Sequence, residues 1–191
     1  MKQTMLNKNL SNVRIIAGKF RGRKITFPNV ESIRPTTDRL RETTFNWLQP
    51  YLENASCLDA FAGSGILGFE SLSRHAKSVT FIDQLKINME SILANAKKLS
   101  IDSNINMYCQ DFFSLDLETS SFDIIFLDPP YHQGLITKAL DCSMAKKWMN
   151  EKTIIYIEGE KEVLSQIPDS FRILKQKTTK NIAIALIEMI V

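Results

Sequence analysis

The amino-acid sequence predicts an α/β fold with an open, mostly parallel sheet, an antiparallel last strand and a small N-terminal β-hairpin and helix. Three observations lead to this prediction. From Ser56 onward, short apolar runs alternate with helical patterns, which indicates strands joined by crossover helices. Only residues 177–180 separate the last two apolar runs, which leaves room for a turn but not for a helix. The first 50 residues follow a different, basic pattern.

Residues 1–50 are predicted to form a basic arm made of a hairpin and a helix. Apolar stretches within residues 13–27 flank Gly18 and Gly22, as in a short hairpin. The residues Pro35-Thr36-Thr37-Asp38 are typical of a helix start, because Pro fixes φ and Thr or Asp caps free amides. The helix is expected to run to about Leu48 and to stop at Pro50.

Residues 51–191 are predicted to form the second domain, in which strands and helices alternate. Helices are expected from about Gly65, from about Leu85 to Leu99 and from about Leu135 to Met149. The predicted strands, in chain order, are CLDAF, SVTFID, INMYC, FDIIFLD, TIIYIE, FRILKQ and NIAIALIEMIV.

Composition excludes several classes of protein. The chain has 191 residues, of which 44% are hydrophobic and 24% charged, as in an ordinary globular domain. No apolar run approaches the roughly 18–20 residues that span a bilayer, and the first ten residues lack the apolar stretch of a signal peptide. The three cysteines are far apart and there are only two histidines, so neither a disulfide scaffold nor a metal site is expected. The thiols fit a reducing cytoplasm.

Charge is unevenly distributed along the chain. The first 50 residues hold ten basic and three acidic side chains, a net charge of +7, while the remainder has a net charge of −4. A basic arm on a slightly acidic body indicates contact with a polyanion. The side chains expected to bind phosphates are Arg14, Lys19, Arg21, Arg23 and Lys24 on the hairpin, and Arg34, Arg39 and Arg41 on and before the helix.

A GxGxxG motif lies where the first strand of the second domain ends and a helix begins. Its glycines are Gly63, Gly65 and Gly68. They are expected to let a ligand approach the backbone, while the helix N-terminus favours acceptor groups. The motif alone is shared by many nucleotide-binding folds and also occurs as a plain tight turn.

Three acids follow successive strands. Asp83 ends the second strand and is placed to accept both hydroxyls of a ribose. Asp59 precedes the glycines, where its charge would repel a pyrophosphate but suit S-adenosylmethionine, which has no phosphate and carries an ammonium group. Asp111 follows the third strand and is expected to accept from an adenine amino group, with Phe112 beside the ring.

The motif Asp128-Pro129-Pro130-Tyr131 follows the strand FDIIFL directly. Two successive prolines remove two amide donors and stiffen the turn, so the segment exposes acceptors. Tyr131 adds a face for stacking. The motif therefore predicts a site for a planar group that bears an NH2.

These motifs resemble those of the class I S-adenosylmethionine-dependent methyltransferases that modify exocyclic amines. Four segments narrow the resemblance to the RsmD family: RIIAGKFRGRKI (14–25), RPTTDRLRETTFNWL (34–48), LDAFAGSGILGFESLSRHA (58–76) and FLDPPY (126–131). They follow the family order over nearly the whole chain, and the RPTTDRxRET block is far more specific than the glycine loop. Asp83 stands where relatives often have Glu, and either carboxylate accepts from a ribose.

The resemblance implies a Rossmann-like sheet and transfer of a methyl group from S-adenosylmethionine to guanine N2 of small-subunit (16S) ribosomal RNA. It implies that Asp128, Pro129, Pro130 and Tyr131 hold the target amine. The RNA is expected within an assembling subunit, and nothing in the sequence demands a dimer, so a monomer is expected. The residues expected to bind the cofactor are Asp59, Ala60, Phe61, Gly63, Ser64, Gly65, Gly68, Asp83, Asp111 and Phe112.

Four other functions are compatible with parts of the pattern. A DNA adenine-N6 methyltransferase has the same amine chemistry, but 191 residues leave no obvious room for a DNA-recognition domain. A protein glutamine methyltransferase leaves the +7 arm unexplained. An NAD-dependent oxidoreductase is disfavoured by Asp59 and by the DPPY segment, and a non-catalytic RNA-binding module by the intact motifs.

Overall fold

The computed structural model describes residues 10–29, 37–118, 121–130 and 134–190. No helix within these ranges is long and apolar enough to cross a membrane.

The centre of the molecule is a seven-stranded sheet with the order β5-β4-β3-β6-β7-β9-β8. Strands β3 to β7 are parallel to one another, whereas β9 pairs antiparallel with both β7 and β8. The predicted mixed sheet and its antiparallel strand are thus confirmed. The strand bounds are β3 Ser56–Asp59, β4 Ser78–Ile82, β5 Ile105–Tyr108, β6 Ile124–Leu127, β7 Ile154–Glu160, β8 Phe171–Thr178 and β9 Ile182–Met189.

In the described part of the chain, four α-helices (α1 to α4) connect or cover these strands, and their positions agree with the sequence pattern except at one end. The predicted last helix ends at Ala145 instead of Met149, because Lys147 adopts a left-handed backbone with φ of 56°. The chain turns there and places Trp148 in the core. The helix bounds are α1 Asp38–Leu48, α2 Ile66–Ser73, α3 Lys86–Leu99 and α4 Leu135–Ala145.

The N-terminal arm forms the predicted hairpin and helix. Strands β1 (Leu10–Arg14) and β2 (Lys24–Pro28) pair antiparallel. Thr37 caps α1, where its hydroxyl accepts from the backbone N–H of Leu40. Apolar side chains of both arm elements, such as Ile25 and Phe45, belong to the same buried cluster as one face of the large sheet.

The turn of the hairpin is fixed to α2 by hydrogen bonds from its backbone N–H groups to a side chain of the helix. The buried Glu70 carboxylate accepts from the N–H groups of Ile16 at 2.8 Å and Ala17 at 3.1 Å. Close by, the backbone of Gly18 approaches Ser73 so closely that a Cβ at residue 18 would lie 1.9 Å from the Ser73 carbonyl oxygen. The basic hairpin is therefore held in one position on the body.

Candidate active site

The candidate site lies at the carboxyl ends of β3 and β6. From β3 the chain passes outward through β4 to β5, and it then returns to β6 on the opposite side of β3. In open α/β sheets such a reversal of strand order opens a crevice for ligands outside the carboxyl ends. Asp59 ends β3, and Asp128 directly follows β6, so the two acids flank this crevice.

The glycine loop between β3 and α2 is tied to both neighbouring strands. The N–H of Ala60 donates to the Phe126 carbonyl oxygen, and the N–H of Ala62 donates to that of Ile82. Gly63 and Gly65 adopt left-handed conformations, with φ of 51° and 75°. The loop therefore has one defined shape before α2 begins.

The space beside two of the glycines is occupied by the protein itself. A Cβ at Gly65 would lie 2.9 Å from Ile92, and one at Gly68 would lie 2.3 Å from the ring of Phe81. The missing Cβ of these two residues therefore does not make the room for a ligand that the sequence predicts, because that side of each backbone faces the core. They allow α2 to pack closely on the sheet, and Gly63 is the half-buried glycine of the motif.

Asp59 lies beneath the glycine loop, where it is 2% exposed. Its carboxylate accepts from the N–H of Gly68 at 3.2 Å. Burial raises the pKa of Asp59 to about 8, and the nearby charge of Asp83 adds to the rise while the Gly68 hydrogen bond opposes it. The site thus contains a buried carboxyl group whose ionisation a cationic ligand would favour.

Asp83 is half-buried and joins the glycine loop to α3. Its Oδ2 accepts from the N–H of Gly63 at 2.8 Å and from the amide of Asn88 at 3.1 Å. Its Oδ1 accepts from the N–H of Leu85 at 2.7 Å. A carboxylate offers about four lone-pair sites, so Asp83 retains capacity on Oδ1 for a hydroxyl donor.

Asp111 and Phe112 lie beside this group but differ in accessibility. The half-buried Asp111 accepts from the Gln84 side-chain amide and from the N–H groups of Phe113 and Ser114. Phe112 is only 2% exposed, with its ring 5.2 Å from that of Phe61 and 5.4 Å from that of Trp148. The expected stacking of Phe112 on a ligand is therefore wrong, since the core covers its ring. The half-buried Phe61 and Phe113 offer the accessible aromatic surface here.

The acceptor segment after β6 begins with a half-buried Asp128, followed by a buried Pro129 and an exposed Pro130. Tyr131 lies outside the described residues. Burial raises the pKa of Asp128 well above its usual range, and the charges of Glu158 and Asp59 add to the rise. The carboxyl groups of Asp59, Asp128 and Glu158 therefore lie near one another, toward the carboxyl ends of three adjacent strands.

Glu158 and Tyr156 are polar residues of this region that sequence reasoning missed. Leu127 pairs with Ile157 between β6 and β7, so Glu158 follows in line with Asp128. Glu158 is buried and accepts from the Tyr156 hydroxyl at 2.7 Å. A single acid within the apolar run TIIYIE was the available signal, because a charged residue there breaks an otherwise buried strand.

A cleft of about 470 Å3 lies between the hairpin and α1, apart from the crevice at the strand ends. Three of the predicted phosphate-binding arginines, Arg14, Arg21 and Arg39, line it together with Asp38 and Glu42. Exposed basic side chains also continue along the hairpin outside the cleft: Lys19, Arg23 and Lys24.

Arg41 differs from the other basic residues of the arm. The expectation that it binds RNA is wrong for the folded protein, because its side chain is completely buried. It donates to the Arg14 carbonyl oxygen at 2.6 Å and to Asp38 at 3.0 Å, so it joins α1 to the hairpin. Burial lowers the pKa of Arg41, while Asp38 opposes this. Arg34 lies outside the described residues.

Within the four described ranges, no three His, Cys, Asp or Glu side chains come together as the ligands of an ion would.

Comparisons with known proteins place this geometry in a family. The family model described as conserved hypothetical protein 95 matches residues 13–188. The ribosomal RNA small subunit methyltransferase D of Haemophilus influenzae is 41% identical over 186 residues, covering 94% of this chain and 95% of the relative. The protein of the same name from Escherichia coli K12 is 36% identical, covering 91% of this chain and 88% of the relative.

Solved structures agree with the sequence relatives. An E. coli protein assigned to the methyltransferases superposes with a TM-score of 0.84 at 35% identity, covering 94% of this chain and 98% of that one. The tRNA m1G37 methyltransferase of M. jannaschii shares the fold with a TM-score of 0.72 at 16% identity, covering 96% of this chain and 57% of that one. The sheet and the helices thus have the class I methyltransferase arrangement.

Proposed function

The chain belongs to the RsmD family, and we propose that it transfers a methyl group from S-adenosylmethionine to the exocyclic N2 amine of a guanine in small-subunit ribosomal RNA. The observation that supports this proposal most directly is the position of Asp59 and Asp128 on the two sides of the strand-order reversal. One acid faces the glycine loop and the other begins the DPPY segment. A cofactor bound at the glycine loop and an amine bound at the DPPY segment would then lie next to each other.

The residues around the glycine loop fit S-adenosylmethionine. A cation near the buried Asp59 would favour the ionised form of its carboxyl group, which suits a ligand with a sulfonium and an ammonium group. Asp83 has acceptor capacity for a ribose hydroxyl, and Asp111 has it for an adenine amino group. Since Asp59 is 2% exposed, we assign it an electrostatic role through the loop instead of direct contact. Bound S-adenosylmethionine would supply an electrophilic methyl group on its sulfonium.

The DPPY segment would orient the amine for methyl transfer. The guanine N2 lone pair is delocalised into the ring, so N2 is a weak nucleophile. Asp128 and the Pro129 carbonyl oxygen would accept hydrogen bonds from its two N–H groups and direct the nitrogen lone pair toward the methyl group. Tyr131 would fix the plane of the base by stacking. The catalytic effect would come from orientation and local electrostatics, without a covalent intermediate.

Methylation of N2 requires the loss of a proton, and the acids near the amine site would assist this loss. Methyl transfer to N2 forms an N–C bond and breaks an S–C bond, which leaves a positive charge on nitrogen. One N–H bond must then break to restore a neutral amine. The carboxyl groups of Asp128 and Glu158 would stabilise this charge, and the proton would pass to Asp128, whose pKa is raised by burial, or to water.

The basic hairpin would hold the RNA. Arg21 and Arg39 line the cleft beside α1, and the hairpin is fixed to α2 through Glu70. Phosphates bound there would therefore lie at a constant distance from the amine site. We propose that the protein acts as a monomer on RNA of an assembling subunit, which presents the target base in a defined fold.

The proposal is tested by comparing methyl acceptors. Purified protein with methyl-labelled S-adenosylmethionine is incubated with small-subunit rRNA, assembling 30S particles, large-subunit rRNA and duplex DNA. Label is expected in small-subunit RNA, and the Asp128→Ala variant should lose it by orders of magnitude while binding the cofactor within a few fold. Label in DNA would favour an adenine-N6 methyltransferase. Thermal stabilisation by NAD and not by S-adenosylmethionine would contradict the cofactor assignment.

A further inference from the structure

The edge strand β8 carries a second concentration of positive charge. Between Asp169 and Glu188 there are four basic residues and no acidic residue, although residues 51–191 as a whole are net acidic. Arg172, near the start of β8, is ion-paired with Glu188. Within the part of the chain that the structure describes, Lys175 and Lys180 form no ion pair and are exposed. Lys175, Lys177 and Lys180 are called the β8 lysines below.

The β8 lysines lie toward the active-site end of the sheet. Strand β9 is antiparallel to both β7 and β8, so β7 and β8 run in the same direction. The end of β8 and its turn therefore reach the edge that holds Asp128. In register, Glu158 is opposite Ile184, and Ile184 is opposite Lys177. Two strand spacings of about 4.8 Å place Lys177 about 10 Å from Glu158 across the same face.

Helix α1 connects the β8 lysines to the hairpin cleft. The Lys177 ammonium donates to the Thr43 hydroxyl at 3.2 Å, and that hydroxyl donates to the Arg39 carbonyl oxygen at 3.0 Å. Arg41, which bonds the hairpin, is two residues from Thr43, or about 200° around the helix. The hairpin and β8 therefore flank α1 on opposite sides, and Arg39 lies between them.

We propose that the β8 lysines form a second RNA-binding surface, which contacts phosphates on the other side of α1 from the hairpin. This inference rests on the proposed function, because it assumes that RNA reaches the carboxyl edge of the sheet. Positive charge on both sides of α1 would hold the RNA at two points, and the site at the end of β6 lies beside that path. Lysines fit this role because phosphate contacts require charge without base recognition.

Lysines on an edge strand have another known use, since they discourage pairing with a second sheet. Edge protection and RNA binding predict different distributions of positive charge along β8. Protection of the edge would call for charge along all of β8. Among the described residues, however, Arg172 is ion-paired, whereas Lys175, Lys177 and Lys180 toward the active-site end form no ion pair. This gradient favours an RNA partner.

The test compares two triple variants with the same change in charge. In the first, Lys175, Lys177 and Lys180 are replaced by Gln. In the control, three exposed lysines near the amino edge of the strands are replaced by Gln: Lys77, Lys97 and Lys98. Affinity for small-subunit rRNA and for a mixed-sequence single-stranded RNA is measured as a function of salt for both variants and the wild type.

The β8 variant should bind both RNAs about tenfold more weakly than the control at 0.1 M salt. Its log–log salt slope should be about two units flatter, since each phosphate contact on single strands contributes about 0.7. S-adenosylmethionine affinity should be unchanged. Because Lys177 also bonds α1, a double variant of Lys175 and Lys180 alone should show about two thirds of the change in slope.

Several outcomes would overturn the proposal. Equal RNA affinity of the β8 variant and the control would show that the β8 lysines do not bind RNA. Unchanged affinity together with self-association of the β8 variant would assign the lysines to edge protection. RNA binding is measured without catalysis, so selective loss in the β8 variant supports the surface even where no methyl group is transferred. A wild-type protein that methylates small-subunit RNA while the β8 variant binds normally would retain the proposed function and refute this surface.

Discussion

Replacement of Asp59 by asparagine should stabilise the ligand-free protein at neutral pH while weakening cofactor binding. The pKa of Asp59 is raised to about 8, mainly by burial, whereas an unfolded Asp has a pKa of about 3.9. Between these values the folded state keeps a proton that the unfolded state has lost, so stability falls as pH rises. One pKa unit corresponds to about 1.4 kcal/mol, and pH 7 lies about three units above the unfolded pKa. The contribution of Asp59 to the free energy of unfolding at pH 7 is therefore about 4 kcal/mol lower than it is below pH ~4, where the group is protonated in both states.

The asparagine side chain would retain an acceptor for the Gly68 N–H without this penalty. Urea unfolding of both proteins from pH 5 to pH 9 measures the effect. The advantage of Asp59→Asn should grow by about 1.4 kcal/mol per pH unit up to pH ~8 and then level off. The exposed Asp141→Asn serves as the control and should show no such trend. A pH-independent difference, or one that shrinks as pH rises, would refute the burial argument.

Three further predictions concern the arm, the helix packing and the amine site. In urea unfolding, Gly18→Ala should destabilise the protein by several kcal/mol more than Gly22→Ala. Both glycines have φ near +80°, but only residue 18 lacks space for a Cβ atom. Equal losses of unfolding free energy would show that the hairpin is not closely docked on α2. Gly68→Ala should cost about 1–3 kcal/mol of unfolding free energy through overpacking, and unchanged stability would contradict the close approach of α2 to the sheet. Asp128→Asn should lower kcat far more than it changes calorimetric affinity for S-adenosylmethionine, and the reverse result would move Asp128 to the cofactor site.

The order of strands and helices could be predicted from the sequence because local patterns determine it. After Ser56 strands and helices alternate, and a short gap precedes the last strand. Both features can be predicted from residues that are neighbours in the sequence. The helix end at Ala145 was not predictable in the same way. The left-handed turn at Lys147 is favoured by burial of Trp148, which is a tertiary effect.

The site was less predictable because burial depends on distant parts of the chain. Phe112 and Arg41 have the residue types expected of ligand contacts, yet both are covered, one by aromatic rings and the other by the hairpin. Glu158 became visible only through the register of β6 and β7. The acids at strand ends were predictable, since parallel strands bring their carboxyl ends to one edge.

The identity of the methylated nucleoside tests the central claim most directly. Small-subunit rRNA that has been treated with the protein and S-adenosylmethionine is digested to nucleosides and analysed by mass spectrometry against standards. Orientation of an exocyclic amine by the DPPY segment predicts N2-methylguanosine as the product, and its absence after treatment with Asp128→Ala. Methyl groups on a ring nitrogen, on a ribose or on adenine N6 would contradict the account.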